Sequence, residues 1–300
     1  MRIGIDLGGS KIEAVAFADN GERLWARRVA TPRHDYHATV SAISGLVKAL
    51  EHDLGQRGSI GIGTPGAVSP DSGLLKNCNS TVLNGKPFQR DLSESLNRPI
   101  AIANDADCFA LSEAVDGAGS GAEVVFGVIL GTGAGGGLVV NRRLLAGPNA
   151  IAGEWGHNPM PVPWPPGHLP RHCYCGRSDC VETWVSGPGL ELSYFNLAGK
   201  RIPAAEIASA AAGANKLALA ALDDYADKLA RALALVINII DPDVIVLGGG
   251  LSNIDALYTL VPRKWLDYVF SDVVRTELLP ARFGDSSGVR GAAWLWPLGA

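Results

Sequence analysis

Three times along the chain a short apolar strand empties into glycines: "IGIDLGGSK" from Ile3, "GVILGTGAG" from Gly127 and "VIVLGGGLS" from Val244. A strand that ends in glycines exposes backbone N–H groups at its tip, and three such tips suggest α/β lobes converging on a phosphate-bearing ligand. For any one of them, a plain turn is the simpler reading. The intervening chain fits an α/β pattern. Ile3, Ile5 and Leu7 alternate, Val15 and Phe17 continue after Gly8-Gly9, and Asn20-Gly21 marks a hairpin turn before Leu24 to Val29. Tyr36 to Leu54 reads as a helix, "SIGIGTPG" as a buried strand meeting a turn, and "PIAIAND" as a strand running into a helix over 106–115. The clearest helix is Lys216 to Ile240, where Leu222, Tyr225, Leu229, Val236 and Ile240 recur near helical spacing before Asp241-Pro242 stops it. The ending "SSGVRGAAWLW" reads as a capped helix.

A chain of 300 residues suits two lobes. No stretch reaches the roughly 18 apolar residues of a membrane span, and the N-terminus lacks a signal-peptide core, so a cytoplasmic location is expected. A net charge of −4 and a pI near 5.9 give no electrostatic reason to bind nucleic acid or an anionic membrane.

Two stretches match G-x-G-x-x-G, "GIGTPG" (Gly61 to Gly66) and "GTGAGG" (Gly131 to Gly136), but neither opens a helix, and no Walker loop occurs. What remains is "DLGGSK". Glycines there let N–H groups approach phosphate oxygens, Ser10 offers a hydroxyl and Lys11 a compact charge. Asp6 lies out of phase with Ile5 and Leu7. An acid beside a phosphate turn reads as positioning Mg²⁺ through water, because Mg²⁺ sheds its hydration shell reluctantly, or else as a capping Asp of a hairpin.

"CYCGRSDC" places Cys173, Cys175 and Cys180 within eight positions of a chain with five cysteines. An odd count, with Cys78 and Cys108 isolated, argues against a disulfide framework. C-x-C lacks the strand-helix setting of a C-x-x-C oxidoreductase, which favours metal over redox chemistry. The surrounding region is loop-rich, with seven prolines from Pro148 to Pro170.

"IGIDLGGSK", "IANDAD", "GTGAGGG", "GEWGH", "CYCGRSDC" and "DPDVIVLGGGLSN" occur in the order found in ROK-family (repressor, open reading frame, kinase) sugar kinases, and the resemblance covers essentially the whole chain. Within the family, "GEWGHNP", "NSTVLNGKPF" and "GDSSGVRGAAWLWP" look most like bacterial fructokinases of the mannofructokinase type. The resemblance implies an α/β, actin-like ATPase (ribonuclease H-like) duplicated fold, with two lobes, an interlobe cleft and a zinc-bearing loop. The small lobe would be 1–117, completed by a C-terminal helix 287–300. The large lobe would be 118–286, with the zinc loop at 154–182.

The same resemblance implies ATP, Mg²⁺ and structural Zn²⁺ as cofactors. Transfer would be to O6 of a hexose, most simply fructose, with glucose, mannose or an N-acetylhexosamine as alternatives. Asp105 would be the catalytic base, with Asn104 holding neighbouring hydroxyls; from spacing, either could simply cap a helix, and Asp107 is the competing base. Gly8, Gly9, Ser10 and Lys11 would face Gly131, Thr132 and Gly133 across the phosphates, and Gly248, Gly249 and Gly250 would border adenosine. Glu154, His157 and Glu182 would line the sugar pocket, with Gly66 and Asn79 as further contacts. His157 would complete the zinc site with Cys173, Cys175 and Cys180; His168 and His172 are rival ligands on proximity.

Three positions depart from the family pattern. Ser10 stands where Thr is usual, Asp107 follows the catalytic stretch where Asn is common, and Asp179 replaces a glycine of the cysteine loop. The family also holds repressors, which carry a helix-turn-helix ahead of the "DxGG" strand. With that strand beginning at Arg2, a kinase without nucleic-acid or membrane partners is expected, as a homodimer.

Overall fold

The computed structural model describes residues 1–78 and 80–297. Contacts divide the chain into two units: residues 1–121, 137–152 and the segment from Asp285 onward form the first, and 122–136 with 153–284 the second. Residues 137–152, expected with the larger lobe, cluster with the first unit. There Gly137 lies against the first turn of the helix that begins at Asp105, and the Arg142 guanidinium donates to the Val115 carbonyl at 2.9 Å.

In the first unit the chain forms β1 (Arg2–Leu7), β2 (Lys11–Phe17), β3 (Arg23–Ala30), α1 (Tyr36–Leu54), β4 (Ser59–Thr64), the short pair β5 (Ala67–Val68) and β6 (Leu75–Lys76), α2 (Phe88–Leu96), β7 (Ala101–Asn104) and α3 (Asp105–Val115). The sheet order is β3-β2-β1-β4-β7, antiparallel across the first three strands and parallel from β1 to β4 to β7. Alternation decides which face each side chain enters. Ile3, Ile5 and Leu7 join Ile43, Val47, Leu50, Phe88 and Leu92 in a core beneath α1 and α2. Gly4 and Asp6 face the other way.

That second face is where the glycines of "IGID" and "SIGIG" are used. Gly4 and Gly61 pair in register, and a Cβ on Gly61 would lie 1.8 Å from the Ala292 carbonyl oxygen. The last helix, Ser287–Ala293, therefore rests on the strands at backbone distance. It was expected to be capped, but Ser286 makes no capping bond. The neighbouring Ser287 hydroxyl instead donates to the buried Glu113 carboxylate at 2.8 Å.

The second sheet has the order β10-β9-β8-β11-β12, built from β8 (Val124–Leu130), β9 (Ala134–Val140), β10 (Arg143–Leu144), β11 (Val244–Gly248) and β12 (Glu277–Pro280). Read in chain order, both sheets have the pattern 3-2-1-4-5 with parallel strands from the centre outward. This is the duplicated α/β core that the resemblance implies. β8 repeats β1, whereas β11 occupies the place of β4. Around it lie α4 (Glu182–Val185), α5 (Gly187–Ala198), α6 (Ala204–Ala212), α7 (Lys216–Ile240) and α8 (Leu257–Lys264). In α7 the Asn215 side chain accepts from Leu217 and Ala218 N–H, Leu222, Tyr225, Leu229 and Val236 are buried, Ile240 is half-buried, and Asp241 ends the helix with φ 50. Among the described residues no helix is long and apolar enough to cross a membrane.

A Gly61→Val variant should cost about 3 kcal/mol or more, because the last helix must lift off the sheet. Gly45→Ala, at an exposed position of α1 with nothing within 4 Å, should instead stabilise by about 0.5–1 kcal/mol. Urea midpoints of the two variants check both signs.

Candidate active site and metal centre

In the first unit the β1–β2 turn is closed by its own backbone, with Gly8 N–H donating to the Lys11 carbonyl at 3.0 Å. Thr31 braces it: its hydroxyl donates to the Gly8 carbonyl at 2.8 Å and its N–H to that of Ser10 at 3.1 Å. Gly9, Ser10 and Lys11 are exposed, and a Cβ on Gly9 would meet nothing within 4 Å. The turn is rigid and its tip is open, which suits an approaching anion.

Asp6 lies beneath this turn, opposite Glu13 across the β1–β2 pair, and the Arg28 guanidinium meets Glu13 at 2.8 Å. Burial pushes the Asp6 carboxyl up to about 6, reinforced by the Asp105 and Glu13 carboxylates against the pull of Lys11 and Arg28. Sequence reasoning did not mark Glu13 or Arg28, which are found only through strand register. Asp105 is exposed at the first residue of α3. Asn104 caps that helix, its Oδ1 accepting Ala106 N–H at 2.7 Å, and Asp105 Oδ1 accepts the same N–H at 2.8 Å, so both residues take part in closing the first turn. Asp107 is half-buried two residues on. Gly66 has a packing reason of its own, since a Cβ there would lie 2.4 Å from the Lys76 carbonyl oxygen. Asn79 lies outside the described residues.

Two strand tips of the second unit are likewise open. A Cβ on Gly131 or on Gly250 would meet nothing within 4 Å, and Thr132 is exposed. The loop after β8 is pinned from below: Gly187 N–H donates to the Gly131 carbonyl at 2.8 Å, and Ala134 N–H to Glu182 Oε2 at 3.0 Å. Gly249, with φ 80, passes so close to Leu130 that a Cβ would lie 2.5 Å from its carbonyl oxygen, and Gly248 ends β11 directly before it.

The segment "GEWGH" is anchored by the buried Trp155, whose indole N–H donates to the Gly135 carbonyl at 3.0 Å. Glu154 is exposed beside it. His157, Cys173, Cys175 and Cys180 converge, with their ligand atoms all within 4.8 Å of one another. Cys173 Sγ lies 3.6 Å from His157 Nδ1, and Cys175 Sγ lies 3.6 Å from Cys180 Sγ. A tetrahedron with metal–sulfur bonds of about 2.3 Å has edges of roughly 3.8 Å, so the donor set fits a four-coordinate dication of zinc's size. The thiols alone make an uneven set. Burial pushes Cys180 up to about 12, and Cys175 is drawn down to about 6 by Arg177 and the neighbouring thiols although burial opposes it. One sulfur carries charge at the others' expense, a conflict a bound cation removes.

The rival histidines are engaged elsewhere, His168 with Asp179 at 2.9 Å and His172 with the Ser178 hydroxyl at 3.3 Å. Asp179 takes φ 53, the left-handed conformation its glycine counterpart would adopt, and its Oδ1 accepts Arg171 N–H at 3.0 Å. The second ring nitrogen of His157, Nε2, meets the Tyr174 hydroxyl at 3.0 Å. A cavity of about 850 Å³ opens beside the cluster, lined by Thr132, Tyr174, Glu182, Trp184 and Asn196 among others.

Because its value of about 6 lies above the ordinary 3.8, Asp6 supports the folded protein when protonated; that contribution is complete below about pH 3.8 and lost as pH rises through about 6. Asp105→Asn removes a charge that raises it, so the Asp6 midpoint, read by carboxyl ¹³C NMR in the absence of divalent cations, should move down. An unchanged or higher midpoint would refute the pairing.

A family model described as "ROK family" matches residues 2–298. N-acetyl-D-glucosamine kinase of Pectobacterium atrosepticum is 41% identical over 299 residues, covering 98% of each chain. Among solved structures, a ROK hexokinase from Thermus thermophilus matches with a TM-score of 0.86 at 30% identity, covering 98% of this chain and 97% of that one. A ROK glucokinase from Streptomyces griseus, in complex with glucose and AMPPNP, matches with a TM-score of 0.76 at 26% identity, covering 97% of each. The fructokinase likeness is corrected by the curated relatives, which are N-acetyl-D-glucosamine kinases and match the N-acetylhexosamine alternative instead. With its duplicated fold, its open strand tips and a family match from end to end, the chain belongs to the ROK family of sugar kinases.

Proposed function

We propose that the protein is an ATP-dependent kinase that transfers the γ-phosphoryl group to O6 of N-acetyl-D-glucosamine. The observation that carries this reading is full-length similarity, at 41% identity, to a kinase of that sugar. The open glycine tips at Gly9 and Gly131 support it, since neither glycine is there for packing.

In this reading Asp105 accepts the proton of the sugar O6 hydroxyl as the O6–Pγ bond forms and the bond from Pγ to the β-phosphate oxygen breaks, releasing ADP. Its position at the exposed start of α3 leaves the carboxylate accessible. Gly8 to Lys11 bind phosphate oxygens through backbone N–H groups and the Ser10 and Lys11 side chains, and Gly131 to Gly133 do the same from the second unit. Gly248 to Gly250 border adenosine. When bound, Mg²⁺ would supply charge neutralisation at the phosphates, and Asp6 would be the residue that holds it. When bound, zinc supplies a rigid cross-link among His157, Cys173, Cys175 and Cys180, which fixes the segment bearing Glu154. Glu154 and the Oε1 of Glu182 accept hydrogen bonds from sugar hydroxyls, and a sugar contact at His157 Nε2 requires the Tyr174 hydroxyl to yield it.

A coupled assay of ADP release over a hexose panel tests the substrate. N-acetyl-D-glucosamine should exceed fructose and glucose in kcat/KM by at least about tenfold, since a site built around a polar substituent rejects sugars lacking it. A preference for fructose would contradict the reading. Asp105→Asn should lower kcat by about 10²–10⁴-fold with both substrates still bound. Asp6 adds a pH limb. Its proton must leave before the cation complex forms, so kcat/KM for MgATP should fall as pH drops through about 6, and Asp6→Asn should abolish that limb along with most activity.

A further inference from the structure

We propose that Glu182 is a positioning residue through which the metal knuckle sets the loop Gly131–Ala134. The inference rests on the reading of that loop as phosphate-facing. It adds to it a physical link from the cysteine cluster to nucleotide affinity.

Three observations converge on this side chain. Glu182 stands two residues after Cys180 and opens α4, so the knuckle fixes where that helix begins. Its Oε2 accepts Ala134 N–H at 3.0 Å, while Oε1 lies 3.9 Å from Cys173 Sγ. The carboxylate thus spans from the sulfur cluster to the loop. A Cβ on Gly133 would lie 2.6 Å from Glu182 Oε2, so a side chain there would push the carboxylate aside. The loop leans on the same junction a second time, through Gly187 N–H to the Gly131 carbonyl.

Arg171 holds α4 and α5 together from behind. Its guanidinium donates to the Thr183 and Gly189 carbonyls at 2.8 and 3.1 Å and to the Ser193 hydroxyl at 2.9 Å, and lies 3.4 Å over the Trp184 ring. With α4 braced there, a shift of Cys180 is passed to Glu182 by the intervening backbone. The Ala134 amide would then lose its charged acceptor, and a bond of that kind accounts for about tenfold in an equilibrium.

The test measures MgADP binding to the full-length, metal-loaded protein by calorimetry, with hydrogen exchange of the Ala134 amide as a second readout. Glu182→Ala should weaken MgADP by about tenfold at unchanged metal content and deprotect the Ala134 amide. Glu182→Gln, whose amide oxygen still accepts but without charge, should weaken MgADP less than Glu182→Ala does. Removing the metal with a chelator should weaken MgADP in the parent but add little in Glu182→Ala. Gly133→Ala, which displaces the carboxylate without removing it, should weaken binding even if Glu182→Ala does not fold. Equal MgADP affinity in the Ala variants and the parent, or an undiminished chelator effect in Glu182→Ala, overturns the link. Gly131→Val separates the two readings, because its side chain enters open space above the loop. If it abolishes MgADP binding while the Glu182 and chelator arms are silent, only the link fails; if it leaves binding intact, the phosphate-loop reading fails and takes the link with it.

Discussion

The segment from Gly153 to Val181 must be held by something other than secondary structure. Among its described residues it adds no strand to either sheet and contains one short turn of helix, Trp155–His157. Ordering such a stretch costs about 1–2 kcal/mol per residue in backbone entropy alone. Two clasps are present. One is the convergence of three thiols and an imidazole within 4.8 Å, a donor set whose mutual repulsion on ionisation a dication would offset. The other contains no metal ligand: Asp179, Arg171 and His168 are hydrogen-bonded together, and Trp164 stacks on His168 at 4.0 Å and on Trp184 at 4.7 Å. The departure from glycine at position 179 belongs to this second clasp, since a glycine could bind neither partner.

Duplication explains why the strand tips look alike yet differ in use. β1 and β8 hold the same place in their sheets, and each passes through a glycine turn into an adjacent strand. In the first half an acid, Asp6, lies under the turn, its carboxyl pushed up to about 6 by burial and by two neighbouring carboxylates. In the second half the turn is instead supported by an acid from elsewhere in the chain, Glu182. One half carries a buried acid of its own strand beneath its glycine turn, and the other borrows an acid from the start of α4.

Much of this was legible in the sequence because it is local. Strand tips, the hairpin at Asn20-Gly21, α1 and α7 follow from alternation, periodicity and turn residues, and the cysteine spacing alone pointed to a metal. What escaped is non-local or reads ambiguously. Helix α5 opens with Gly187-Pro188-Gly189, which looks like loop until Ser186 is seen to accept Gly189 N–H. The bond from Ala134 to Glu182 joins residues 48 positions apart. The Glu13–Arg28 pair depends on strand register. Sugar identity escaped for a different reason: fructose and an N-acetylhexosamine differ in carbonyl position and in the 2-acetamido group, and motif order does not encode where a pocket places such groups.

The order of the segment 153–181 depends on an ion that holds His157, Cys173, Cys175 and Cys180 together. Native mass spectrometry of freshly purified protein, compared with its denatured mass, tests this directly. One zinc per chain, lost on Cys175→Ser, is the predicted result. A metal-free native mass from protein that remains folded and active, or one reduced by two protons from a disulfide among these cysteines, would contradict it.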